Sequence, residues 1–200
     1  MPHHINMRDI DSDILKRAAG GDIEAFEDIY RSFSGFVYNV ALGITRDRSD
    51  AEEVTQDVFI KAYRGLRGFR FGSSLKTWIY RIAANEALNR YNKSKKEQSR
   101  RLNYDDNIDP EPAAGSGREE IMQSDSEKRF AALLEKLDQN QRACLVLREI
   151  EGLSYKDIAD VLRIPVNTVR SRLKRARQAL LEKARKELGK DGLREYTGIA

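Results

Sequence analysis

The sequence predicts an all-α protein with two helical domains joined by a flexible linker. Apolar residues recur at intervals of three and four over most of the 200 residues, which is the period of amphipathic helices. A stretch rich in proline, glycine and acidic residues interrupts this period near the middle of the chain. We therefore expect a first domain at residues 12–95, a linker at 96–125 and a second domain at 126–188.

Charge is distributed unevenly along the chain. The formal net charge of +4 favours a polyanionic partner only mildly. Residues 103–127, however, carry 8 acidic and 1 basic side chains, whereas residues 153–190 carry 11 basic and 4 acidic ones. The linker is therefore a poor ligand for DNA on its own, and the basic end of the second domain is a good one.

Several classes of protein are excluded by what the chain lacks. Cys144 is the single cysteine, so a disulfide framework or a cysteine metal cluster is not expected. The two histidines, His3 and His4, have no further ligands nearby, and we expect neither a metal site nor a cofactor. No phosphate-binding loop, paired-histidine zinc helix or nucleophile–histidine pair is present, so we do not expect an enzyme.

Hydropathy argues against a membrane protein. No apolar run approaches the roughly 20 residues that a membrane-spanning helix needs. The N-terminal residues also lack the apolar stretch of a signal peptide. We expect a protein of the bacterial cytoplasm without membrane insertion.

The first domain begins with two predicted helices. Asp11-Ser12-Asp13 can start a short helix, which Gly20-Gly21 ends. A longer helix follows, because apolar residues keep helical spacing over five turns and form one predicted core stripe. The stripe consists of Phe26, Ile29, Tyr30, Phe33, Val37, Val40, Ala41 and Ile44.

A third helix, predicted to be capped by Ser49 or Asp50, has two contrasting faces. The inward face consists of Ala51, Val54, Val58, Ala62 and Leu66. The outward face consists of Glu53, Gln56, Asp57, Lys61 and Arg64. A face this polar cannot be buried within one domain. It is therefore either solvated or docks another protein through its charges.

A glycine-flanked aromatic loop and a fourth helix carry the next candidate site. Its members are basic, amide or aromatic side chains, and they are Phe69, Lys76, Trp78, Arg81, Asn85 and Asn89. Cations interleaved with aromatic rings suit single-stranded nucleic acid, whose bases stack while its phosphates pair with the cations. The alternative is that Trp78 belongs to the core and the cations are solvated; for Trp78 alone the two interpretations have equal weight.

The second domain ends in a predicted helix-turn-helix. Ser154 can cap a helix, with Asp157 three residues later as in a weak capping box, and Arg163-Ile164-Pro165 breaks that helix. The next helix buries a stripe that begins at Val166 and exposes polar and basic residues opposite it. An ordinary helical hairpin with a solvated basic face is the alternative, but the basic excess of this segment favours DNA contact.

Three motifs in order closely resemble the extracytoplasmic-function group of bacterial sigma factors over about residues 12–188. They are DAEEVTQDVFIKAYRGLRGFR, LKTWIYRIAANEALNRY and, after the linker, LDQNQRACLVLREIEGLSYKDIADVLRIPVNTVRSRLKRAR. The resemblance implies two helical domains, called region 2 and region 4. It also implies a protein that binds core RNA polymerase and directs it to promoters, in a stress or envelope response and commonly under the control of an anti-sigma factor.

The resemblance also implies roles for the candidate residues. The helix from Asp50 to Leu66 would dock on the clamp helices of the largest polymerase subunit, and Phe69 with the Asn85 face would read the −10 element. The second helix of the helix-turn-helix would read the −35 element. Its candidate residues are Asn167, Thr168, Arg170, Ser171, Lys174 and Arg175. Asn167 departs from the family, since many members have glycine there.

A second class of function accounts for part of the chain. A DNA-binding regulator with an N-terminal sensing domain would explain the helix-turn-helix. It would leave the aromatic loop and the helix with Trp78 and Asn85 unexplained. Stoichiometric binding of core RNA polymerase without DNA distinguishes a sigma factor from such a regulator.

Overall fold

The computed structural model describes residues 10–69, 74–104, 134 and 137–192, and the regular elements in these ranges are all helical. They are α1 (Ser12–Ala19), α2 (Ile23–Thr45), α3 (Arg48–Leu66), α4 (Leu75–Tyr104), α5 (Gln139–Leu145), a π-helical turn (Val146–Ile150), α6 (Tyr155–Leu162) and α7 (Val166–Gly192). The first of two units holds α1, α2, α3 and α4 up to Lys93. The second holds α5, the π turn and most of α6 and α7. The predicted all-α fold is confirmed.

The core of the first unit forms around α2. Asp22 caps this helix by accepting a hydrogen bond from the Ala25 backbone N–H at 3.1 Å. Most of the predicted apolar stripe is buried, but Tyr30 is 45% exposed. Its ring instead packs edge-on against Phe59 of α3, with centroids 4.6 Å apart. Phe36, outside the predicted stripe, takes a place in the core.

The third helix begins at Arg48, and its cap, Asp47, lies two residues before Ser49, the first of the two predicted caps. Asp47 caps it by accepting a hydrogen bond from the Asp50 backbone N–H at 2.8 Å. This is possible because Arg46 ends α2 in the left-handed conformation, with φ of 64°, so the chain reverses at once. The predicted inward face of α3 is buried throughout.

The fourth helix is longer than its predicted part of the first domain. Ile79, Tyr80, Ala83 and Ala87 bury one side of it. The helix then continues past residue 95 to Tyr104, so that residues 96–104 of the predicted linker are helical. The rest of the predicted linker lies outside the described residues.

In the second unit, Asp138 caps α5 by accepting a hydrogen bond from the Asn140 backbone N–H at 2.9 Å. The helix itself starts at Gln139. Arg142 is only 1% exposed and donates hydrogen bonds to the Leu134 and Leu137 carbonyl oxygens, both at 3.1 Å. Its guanidinium satisfies backbone groups at the end of the preceding segment.

The helix-turn-helix forms as predicted. The Ser154 hydroxyl accepts from the Asp157 backbone N–H at 3.1 Å, and the Asp157 carboxylate accepts from the Ser154 N–H. Arg163 ends α6 in the left-handed conformation, with φ of 52°. Val169 and Leu173 then bury one side of α7 completely, which leaves its opposite side to solvent.

Candidate polymerase and promoter interfaces

The outer face of α3 is exposed, as predicted for a docking surface, but two of its five members also bind α4. Gln56, Asp57 and Arg64 are exposed. Glu53 Oε1 lies 2.6 Å from Arg90 Nη1, and Lys61 Nζ lies 2.5 Å from Glu86 Oε2. These two side chains therefore hold α3 against α4 in addition to facing solvent.

Arg90 makes a second ion pair that is less exposed. Its Nε donates to Asp50 Oδ1 at 2.6 Å, where the Asp50 side chain is only 13% exposed. Burial alone would lower the pKa of Arg90, but its hydrogen bonds and its attraction to Asp50 and Glu53 outweigh burial, and the pKa is raised. One guanidinium thus fastens two carboxylates of α3 to α4.

An exposed isoleucine lies within the polar face of α3. Ile60 is three and four residues after Asp57 and Gln56, so all three share one side of the helix. Its side chain is 47% exposed, and that of Tyr63 is 41% exposed. The sequence prediction counted only the polar members of this face. A lone isoleucine at i+3 and i+4 within a charged stripe was the signal that could have identified it.

The predicted −10 residues on α4 do not all share one side. Arg81, Asn85 and Asn89 are spaced four apart and form one stripe, and Trp78 lies two turns before Asn85 on the same side. Lys76 is nine residues from Asn85, about two and a half turns, and therefore lies on the opposite side. Its Nζ is 5.8 Å from the centroid of the Tyr80 ring.

Trp78 connects the aromatic loop to the end of α3. The Phe69 and Trp78 ring centroids are 5.3 Å apart, at an interplanar angle of 53°. The indole also lies so close to Gly65 that a Cβ atom there would come within 3.0 Å of Trp78 Cζ2. Trp78 is half-buried, so it is neither a pure core residue nor a fully presented ring. The loop residues 70–73 lie outside the described part.

The predicted −35 residues share the solvent side of α7. Asn167, Arg170, Ser171, Lys174 and Arg175 are exposed, and Thr168 is half-buried. Asn167 Oδ1 accepts a hydrogen bond from Arg170 Nη1 at 3.1 Å. The Ser171 hydroxyl donates to the Thr168 carbonyl oxygen at 2.9 Å. The exposed surface of α7 thus carries three cationic side chains, Arg170, Lys174 and Arg175.

Arg177, a further arginine of α7, connects the helix-turn-helix to the π-helical turn that precedes it. Arg177 Nη2 lies 2.8 Å from Glu149 Oε1, in the π-helical turn. Hydrogen bonds to Glu149 and Tyr155 raise the pKa of Arg177 against the effect of burial. Arg148 lies over the Tyr155 ring at 5.4 Å from its centroid. The π turn, α6 and α7 are thereby joined through Tyr155 and Arg177.

Two further observations concern the described residues only. No helix among them is long and apolar enough to cross a membrane. No group of three or more histidine, cysteine, aspartate or glutamate side chains in that part of the chain is arranged to hold a metal ion.

Comparison with known proteins gives the same two regions. A family model of Sigma-70 region 2 matches residues 29–97, and one of Sigma-70, region 4 matches residues 127–180. The chain is 34% identical over 181 residues to the RNA polymerase sigma-H factor of Pseudomonas aeruginosa, covering 85% of this chain and 91% of that protein. It is 35% identical over 182 residues to the ECF RNA polymerase sigma-E factor of Escherichia coli, covering 85% and 92%.

Solved structures agree with these matches. CnrH, in complex with the cytosolic domain of CnrY, aligns with a TM-score of 0.67 at 25% identity over 90% of this chain and 99% of its own. The sigma factor RpoE of Bartonella quintana, in complex with the anti-sigma factor NepR, aligns with a TM-score of 0.60 at 26% identity over 78% and 94%. The chain therefore belongs to the sigma-70 family, as an extracytoplasmic-function RNA polymerase sigma factor, and is a transcription initiation factor and not an enzyme.

Proposed function

We propose that the outer face of α3 docks this sigma factor on core RNA polymerase, with Ile60 as the apolar centre of the contact. Gln56, Asp57 and Arg64 surround Ile60 with exposed polar groups. An apolar residue inside a polar rim is the usual composition of a protein interface. Glu53 and Lys61 take part at the edge of the face, where each also holds α4.

The proposed −10 surface consists of the α4 stripe together with the Phe69–Trp78 pair. Asn85 offers a donor and an acceptor, which base recognition needs, and Arg81 and Asn89 flank it one turn away. An unpaired base can stack on an aromatic ring while cations hold its phosphate. Lys76 lies on the other side of α4, outside this stripe, and would reach only a separate stretch of the DNA backbone.

The proposed −35 surface is the solvent side of α7. Arg170 is the candidate for a guanine contact, because arginine can donate two parallel hydrogen bonds to guanine O6 and N7. Lys174 and Arg175 follow it along the exposed side and suit phosphates or further base edges. Ser171 and Thr168 complete the surface near the start of the helix.

We also propose a cytoplasmic location, control by an anti-sigma factor, and a role in a stress or envelope response. RpoE of Bartonella quintana, with a similar fold, was solved with an anti-sigma factor bound. An anti-sigma partner that covers the face of α3 would exclude polymerase from the same residues.

The observation that supports the proposal most directly is the set of exposed cations on α7, whose other side is buried, in a chain that matches both sigma regions. The test uses the full chain with core polymerase. We expect the two to co-purify stoichiometrically without DNA. In transcription reactions with a promoter library, we expect the holoenzyme to select a defined −35/−10 pair. Binding to duplex DNA without any binding to core polymerase would instead favour a regulator.

A further inference from the structure

Asn167 and Arg170 form a bonded pair on the exposed side of the recognition helix. Asn167 Oδ1 accepts from Arg170 Nη1 at 3.1 Å, and both side chains are exposed. Residues three apart on a helix are neighbours, so the pair is compatible with an undistorted α7. The orientation of the amide is chemically determined, because a guanidinium has donors only and the Asn167 oxygen must face it.

This bond leaves the recognition edge of Arg170 unused. A guanidinium has five N–H donors, and Asn167 takes one, on Nη1. The Nε–H and Nη2–H groups point in parallel along another edge, which has the geometry that matches O6 and N7 of guanine. Fixing the end of a long, exposed side chain in advance reduces the conformational freedom that binding would otherwise remove.

The same bond disfavours a direct reading role for Asn167. Asparagine recognises adenine through its amide oxygen and nitrogen together. Here the oxygen is already engaged by Arg170, so only the amide N–H groups remain for another partner. The asparagine at this position is therefore better suited to holding the arginine than to contacting a second base.

We propose that Asn167 is a positioning residue that sets the specificity of Arg170 for its −35 base pair, through the hydrogen bond between their side chains. The inference rests on the proposed −35 role of α7. The proposal explains why an asparagine occupies this position: a glycine has no side chain and could not hydrogen-bond to Arg170.

The test is a promoter library randomised in the −35 element and transcribed by holoenzymes that carry single and double variants. Asn167→Ala should lower selectivity about 3- to 10-fold, at the same base pair that Arg170→Ala affects. Combining the two changes should add nothing to the effect of Arg170→Ala. Asn167→Asp, which keeps an acceptor for Arg170, should retain the preference even where the added charge weakens overall binding.

Three other outcomes would contradict the proposal. Loss of preference at a different base pair, additive with Arg170→Ala, would show that Asn167 reads a base itself and would overturn the proposal. Unchanged selectivity in Asn167→Ala would overturn it as well. Unchanged −35 selectivity in Arg170→Ala would remove the proposed role of Arg170, and the inference with it. Unchanged circular dichroism and thermal unfolding of each variant exclude a folding defect in the second unit.

Discussion

Asn85 is an exposed amide midway along the α4 stripe, and it is the candidate reader of the opened −10 strand. We predict that Asn85→Ala reduces discrimination among −10 bases by about 1–3 kcal/mol, because a paired amide contact to a base edge is worth that much. Binding of core polymerase and of the −35 element should be unchanged. Permanganate reactivity of the melted strand, measured on −10 variants, gives the preference directly.

Gln98→Ala is the matched control for this change. Gln98 is also an exposed amide on α4, and it lies 13 residues further along, or about 20 Å at the helical rise. The variant should open promoters with the original preference. If Asn85→Ala did the same, the amide at position 85 would be a surface group without a reading role.

Arg90 links helices α3 and α4 through its two ion pairs. We predict that Arg90→Ala lowers the free energy of unfolding of the first domain by about 1–3 kcal/mol, because the partly buried Asp50 loses a charge-assisted hydrogen bond. Arg90→Lys should recover part of the loss, since one ammonium cannot reproduce both guanidinium contacts. Denaturant unfolding followed by circular dichroism measures both variants.

Arg31→Ala provides the comparison. Arg31 also pairs with a carboxylate, Glu27, but within α2 and with both side chains more than half exposed. Such a pair contributes less than about 1 kcal/mol. A loss in Arg90→Ala no greater than that in Arg31→Ala would mean that the Arg90 bridge does not hold the two helices together.

The outer face of α3 carries the next prediction. Ile60→Ala should weaken binding of core polymerase about tenfold or more, because truncation of a central apolar anchor commonly costs over 1 kcal/mol. The helicity of the variant should be unchanged, since alanine is a strong helix former. Titration of labelled sigma factor with core enzyme gives the dissociation constant.

Ile23 is the control for surface hydrophobicity. It is 72% exposed at the start of α2, outside the proposed docking face. Ile23→Ala should bind polymerase as the original protein does. Equal losses in the two variants would indicate a general effect of surface apolar area, and would argue against Ile60 as the docking centre.

At the scale of the whole molecule, the acidic segment between the two sigma regions has a predicted effect on initiation. From the family resemblance we expect this segment to lie in the RNA-exit path of polymerase, where its acids would imitate the charge of RNA. Replacing Asp105, Asp106 and Asp109 with serine should alter promoter escape more than promoter binding. Abortive-product ratios and filter binding measure the two steps, and equal effects on both would contradict this role. These residues lie outside the described part of the chain.

The candidate sites were predictable to the extent that they depend on helical register. The exposed stripe of α7 and the Arg81–Asn85–Asn89 stripe follow from spacing, because the positions on one side of a helix are fixed by its period. Lys76, nine residues from Asn85, lies on the other side of α4 by the same period, so the predicted −10 residues of α4 occupy two sides of the helix. The contacts of Glu53 and Lys61 with α4 join residues 37 and 25 positions apart, and no local pattern encodes such pairs.

The helical fold, the two regions, the caps at Asp11 and Ser154, and the family could all be predicted from the sequence, because they depend on local period, capping chemistry and motif order. Tertiary structure decided which candidates have partners. It placed Tyr30 at the surface, buried the charged Arg142 against backbone carbonyls, and joined α3 to α4 through Arg90. Whether a side chain meets solvent or another helix depends on packing between elements distant in the chain, which helical period alone does not specify.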